Sequence, residues 1–138
     1  MIVTFDFDLT LSFPKPDGMT SQEWNQKPIE ETTNIEFLNL LKTHLDVGDE
    51  VHIVTSRNEN RFSRHEIKSF LLKHLQKEIP IWHTDGQLKV RTLKHVGSEL
   101  HYDDDPEELV AAKKAGIKAV NAFNEDAETA YEQWVQSL

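Results

Sequence analysis

The chain contains no cysteine, which removes disulfides and thiolate metal sites together. No apolar run approaches the length needed to span a bilayer, so no membrane partner is expected. No basic stretch precedes the first apolar segment, so a secretory leader is not expected and a cytoplasmic location is. Internal repeats and low-complexity tracts are also missing. Positive charge is scarce: 15 Lys and Arg stand against 24 Asp and Glu, a formal net charge of −9. Nonspecific nucleic-acid binding, which draws on neutralised backbone phosphates, is therefore disfavoured. A phosphorylated substrate is not excluded, because a bound divalent cation inverts the local sign.

What is present is ordinary for a globular domain. The 138 residues, 38% hydrophobic and 28% charged, suit a single domain spanning 1–138 with a real core. Strand-like apolar runs at 2–7, 50–55, 79–82, 99–102 and 117–123 alternate with helical periodicities at 34–45, 62–75, 90–96, 106–115 and about 126–134. In the second of these helices Phe62, Ile67, Phe70 and Leu71 recur at helical spacing. Pro106, followed by Glu107 and Glu108, marks a helix start. Residues 12–27, rich in Pro, Gly and polar side chains around Trp24, read as an irregular excursion. The alternation implies βαβ units: a three-layer, Rossmann-like α/β domain with a mostly parallel sheet of about five strands and helices on both faces.

Polar residues capable of chemistry recur where three strands end. Asp6, Asp8 and Thr10 follow the first strand, Thr55, Ser56 and Arg57 the second, and Asp103, Asp104 and Asp105 the fourth. Each group alone has a bland explanation as a turn or helix cap, and Asp105 before Pro106 reads best as a cap. Parallel strands share one carboxyl edge, however, so all three groups should converge on one crevice. Carboxylates gathered there repel one another unless a hard cation sits among them, and oxygen-only ligands suit Mg²⁺. A carboxylate can also attack phosphorus, and a second one can protonate the leaving oxygen and then activate water.

These residues resemble the haloacid-dehalogenase-like (HAD) hydrolase superfamily, mostly phosphatases with an aspartyl nucleophile. Asp6-Phe7-Asp8-Leu9-Thr10 is similar to its first motif, Thr55 at the end of an apolar strand to its second, and Asp103-Asp104 to its fourth. The resemblance implies a Mg²⁺-dependent phosphatase with Asp6 as nucleophile and metal ligand. Asp8 would be the general acid/base and lend its backbone carbonyl to the metal. Thr55, with Ser56 beside it, would bind the phosphoryl group. Asp103 and Asp104 would hold the metal. The motif lysine is Lys89 or Lys94; Lys89, just before the short helix, is preferred.

Leu9 stands where the family usually has Gly. No gap is long enough for a substantial cap, although the Trp24 loop offers a partial lid. An open site suits a bulky phosphorylated substrate or completion by a second subunit. The alternative is a noncatalytic or regulatory module of the same fold that binds a phosphorylated ligand or a protein partner. A response-regulator receiver fits poorly, since its acidic pair follows the first strand and its phosphoacceptor a later one. The seven histidines show no metal-site spacing, and His52 and His101 read as packed strand residues. Arg57, Asn58 and Arg61 read as surface, and Trp82 and Trp134 as core or partial core.

Overall fold

The computed structural model of the chain describes residues 1–122, 129, 132 and 134–136. Five strands, β1 (Ile2–Phe5), β2 (Glu50–Thr55), β3 (Ile81–His83), β4 (Leu100–Asp103) and β5 (Lys118–Asn121), form one sheet in the order β3-β2-β1-β4-β5. All four pairings are parallel. The chain therefore builds outward from β1 through β2 to β3, then crosses to the other side of β1 for β4. The switch in direction falls between β1 and β4, and ligands of open α/β sheets bind outside the strand ends at such a point.

Six helices precede β5: α1 (Ser21–Asn25), α2 (Ile29–Thr32), α3 (Ile35–Asp46), α4 (Arg61–Leu75), α5 (Val90–Val96) and α6 (Pro106–Lys114). Strand side chains alternate between faces, and the core divides accordingly. Val3, Phe5, Val51, Ile53, Leu100 and Tyr102 cluster with Phe37, Leu40 and Leu41 of α3 and Ile67 and Leu71 of α4. Val54, on the opposite face, clusters with Leu93 of α5, Ala112 of α6 and Ile117. The result is the expected three-layer domain. No helix among the described residues is long and apolar enough to cross a membrane.

The expected elements shift at their ends. β1 stops at Phe5 and frees Asp6, while β3 begins two residues late, at Ile81. The stretch read as irregular is only partly so. Thr20 caps α1 by accepting the Glu23 N–H at 3.1 Å, and α2 follows, but neither buries a residue. Without an apolar face they left no period in the sequence. Trp24 is half-exposed and Trp82 half-buried; Trp134 is buried in the core. The helix expected over 126–134 and the end of the strand expected over 117–123 lie in part outside the described residues.

Candidate active site

β1 is apolar and buried, so it fixes where the chain goes after Phe5. Asp6 N–H donates to the Tyr102 carbonyl at 2.9 Å, which prolongs the pairing with β4 by one step. Alternation then turns Asp6 towards the cleft, Phe7 into the core and Asp8 back to the cleft. Phe7 is buried and meets Phe70 edge to face at 5.1 Å. The turn closes on Leu9, which adopts a left-handed φ of 66°. Leu9 N–H donates to Ser12 O at 2.8 Å and Leu11 N–H to Phe7 O at 2.9 Å. A left-handed leucine costs roughly 1–2 kcal/mol, so this turn carries backbone strain at Leu9.

Asp6, Asp8, Ser56, Lys89, Asp103 and Asp104 line one cleft of about 580 Å³ at the carboxyl edge of the sheet. Leu9 and Leu88 present exposed apolar side chains to it. One carboxylate oxygen from each of Asp6, Asp103 and Asp104 lies within 4.8 Å of the others. Thr55 is buried just beneath, where its hydroxyl accepts the Arg57 N–H at 3.3 Å, and it does not line the cleft. Lys94 is exposed and outside the cleft. No residue of the Trp24 segment lines it either, so that segment forms no lid here.

Lys89, itself buried, bridges two carboxylates: its ammonium donates to Asp6 Oδ1 at 2.8 Å and to Asp103 Oδ2 at 2.6 Å. The other Asp6 oxygen accepts the Thr10 hydroxyl at 3.1 Å. Asp103 also receives His101 Nε2 at 2.8 Å and the Asp105 N–H at 3.1 Å. Burial pushes the Asp6 carboxyl well above its ordinary range; Lys89 opposes the shift and the Asp103 charge adds to it. Burial acts the same way on Asp103, but the His101 hydrogen bond and the Lys89 charge outweigh it and hold that group below its ordinary range. Burial would lower Lys89, yet its two carboxylates hold it above its usual value. Desolvation lowers His101 despite its bond to Asp103. The cluster is short of positive charge: three carboxylates face one ammonium and a histidine that burial favours neutral. An all-oxygen donor set with that imbalance fits a hard divalent cation.

Three further residues shape the site: Arg57, in the strand-end group but read as surface, His101, read as a packed strand residue, and Glu108, read only as marking a helix start. Arg57 grips Asp8 in a two-point fork, Nε to Oδ2 at 2.8 Å and a terminal nitrogen to Oδ1 at 2.7 Å. Its remaining nitrogen donates to Glu66 at 2.9 Å, and the guanidinium sits 5.3 Å over the Phe7 ring. Glu108, buried at the start of α6, accepts the backbone N–H of Lys89 at 3.0 Å and so fixes the loop that carries the lysine. Burial raises the Glu108 carboxyl, partly offset by that bond. His101 is fully buried behind Asp103. None of the three is distinguishable in sequence from a surface arginine, a helix-start glutamate or a packed strand histidine. Asp105, by contrast, caps α6 as its position before Pro106 suggested, accepting the Glu107 N–H at 2.9 Å.

In comparisons with known proteins, no family model and no curated protein matches the chain.

Proposed function

We propose that this domain belongs to the class of α/β hydrolases that transfer a phosphoryl group to a carboxylate at a strand end. Within that class we read it as a HAD-like, Mg²⁺-dependent phosphomonoesterase with Asp6 as nucleophile. The observation that carries the reading is the grouping of Asp6, Asp103 and Asp104 around one point beside Lys89, at the switch between β1 and β4.

Asp6, Asp103 and Asp104 would hold the cation. When bound, Mg²⁺ supplies charge neutralisation for the carboxylates and the phosphoryl oxygens. The Thr10 hydroxyl and the Lys89 ammonium each engage one oxygen of Asp6, orienting the carboxylate for in-line attack. Attack forms an Asp6 Oδ–P bond and breaks the ester P–O bond, and the departing oxygen takes a proton from Asp8. Asp8 then accepts a proton from water, whose oxygen attacks phosphorus and breaks the Asp6 Oδ–P bond, releasing phosphate and restoring the Asp6 carboxylate. Lys89 stabilises the negative charge shared by nucleophile and phosphoryl group. Ser56 donates to a phosphoryl oxygen from the cleft wall. The open cleft, with Leu9 and Leu88 exposed on it, favours a bulky leaving group.

One observation favours the second reading, a phosphate-binding module without turnover. Both Asp8 oxygens accept from Arg57, so the fork occupies the groups that would have to face the leaving oxygen. Catalysis requires that pair to open, after which Arg57 keeps Glu66 as partner. Phosphate release from an aryl phosphate, with Mg²⁺ and with EDTA, separates the two. Metal-dependent release that Asp6→Asn reduces at least a thousandfold is expected of the enzyme. Mg²⁺-dependent binding of beryllofluoride without release would establish the module instead.

A further inference from the structure

β4 reads Leu100-His101-Tyr102-Asp103, and alternation sends Leu100 and Tyr102 to the larger core. His101 and Asp103 share the opposite face. On β1, Thr4 lies directly across from His101 in the register, and Asp6 follows two residues later. One face of the central strand pair therefore carries a polar row leading to the carboxylates. It lies on the face whose apolar cluster is built from Val54, Leu93, Ala112 and Ile117.

Burying such groups is unfavourable unless each is hydrogen-bonded, and here they are bonded in series. The Ser98 and Thr4 hydroxyls lie 2.8 Å apart. Thr4 Oγ1 is 2.7 Å from His101 Nδ1, and His101 Nε2 is 2.8 Å from Asp103 Oδ2. Thr4, His101 and Asp103 are each fully buried. The Asp103 carboxylate can only accept, so Nε2 carries the ring proton, and Nδ1 of the neutral ring accepts from Thr4. That assignment leaves no polar atom of the row unmatched, since Ser98 donates either to Thr4 or to the Leu100 carbonyl at 3.2 Å. Aliphatic residues at 4 and 101 would fill the same layer without any of these requirements. The row ends on the carboxylate that the cation site shares with Lys89, and on no other functional atom.

We propose that His101, held by Thr4, is a positioning residue that fixes the Asp103 carboxylate for cation binding; the inference rests on the metal-site reading above. His101 and Lys89 hold Oδ2 while the Asp105 N–H holds Oδ1. The carboxylate plane is thereby set before a cation arrives. A carboxylate offers about four acceptor positions and three are taken, so one, on Oδ1, remains for the ion. Partners behind a ligand commonly contribute 10- to 100-fold in metal affinity.

The test is Mn²⁺ affinity, read by electron paramagnetic resonance of the free ion, alongside thermal melting, for wild type, His101→Gln, His101→Leu and Thr4→Val. His101→Leu is expected to weaken Mn²⁺ roughly 10- to 100-fold. His101→Gln, whose amide N–H reaches towards Asp103, should recover most of that loss. Thr4→Val should give a smaller loss, because the ring keeps Asp103 but loses its anchor. Wild-type affinity in His101→Leu, or equal losses in the Gln and Leu variants, would overturn the inference. If His101→Leu does not fold, Thr4→Val decides alone: weaker Mn²⁺ binding supports the role and unchanged binding refutes it. A wild-type protein that binds no Mn²⁺ would instead remove the metal-site reading itself.

Discussion

Among the described residues, two aspartate–histidine pairs with buried imidazoles lie at opposite edges of the sheet, and their surroundings differ. At the amino edge, His44 Nδ1 meets Asp49 Oδ2 at 2.8 Å, Asp49 Oδ1 accepts the Met1 amino group at 3.0 Å, and His44 Nε2 lies 2.8 Å from the Tyr102 hydroxyl. The Trp134 ring covers the imidazole at 4.1 Å. The side-chain polar atoms of His44, Asp49 and Tyr102 each have a partner, the charges match, and none of these residues lines the cleft. At the carboxyl edge, His101 and Asp103 make a bond of the same length. That pair adjoins two more carboxylates, one lysine and the cleft. A buried Asp–His pair is thus no mark of a site. Unbalanced charge together with access is.

Removing Lys89 should break the comparison most sharply. Lys89→Met leaves Asp6 and Asp103 buried without their cation partner, and loss of one member of a buried ion pair costs about 3–5 kcal/mol. Phosphate release should fall at least a hundredfold, and denaturant unfolding should show the destabilisation. Mg²⁺ should recover part of the stability but not the rate.

At the other edge, His44→Leu should act on stability alone. It leaves the Tyr102 hydroxyl unpaired, a loss of about 1–3 kcal/mol, while turnover at saturating substrate stays within twofold. The variant also tests a pH effect. Burial holds His44 below its ordinary value of 6.5, and the hydrogen bond it donates to Asp49 only partly opposes this. The unfolded chain therefore takes up this proton at a higher pH than the folded one. The His44 contribution is complete above about pH 6.5 and declines as pH falls below it. Asp49 is held below its ordinary 3.8: burial opposes the shift, but bonds from His44 and the amino group prevail. Its contribution is present above 3.8 and is lost on further acidification. Denaturant midpoints between pH 7 and 5 should fall less in His44→Leu than in wild type.

The smallest effect belongs to Asp105→Asn. Asparagine caps a helix about as well as aspartate, so stability should change by only a few tenths of a kcal/mol and phosphate release by less than twofold. A large loss would bring Asp105 into the site and enlarge the carboxyl-edge group beyond Asp103 and Asp104.

The layered fold was legible because β1, β2 and β4 carry apolar side chains at alternate positions and end in polar residues, with amphipathic helices between them. The strand ends also revealed Asp6, Asp8, Asp103 and Asp104 as one group, since a shared carboxyl edge needs only strand direction. Side-chain partnerships were not legible. Asp8 and Arg57 are 49 residues apart, and Thr4 and His101 are 97 apart. Both contacts depend on which strands are neighbours and in what register, information absent from local pattern. Position before the short helix favoured Lys89 over Lys94, but the Glu108 bond to the Lys89 backbone, made from a different helix, was not legible. The short α1 and α2 went unseen because they bury nothing.

On the proposed function, Asp6 itself receives the phosphoryl group. Wild-type protein turning over an aryl phosphate with Mg²⁺ can be quenched, reduced with borohydride and digested, which converts an aspartyl phosphate to homoserine. The expected result is homoserine at position 6 and nowhere else, absent when EDTA is added before substrate. Phosphate release with no modification at Asp6, or with homoserine at another aspartate, would contradict it.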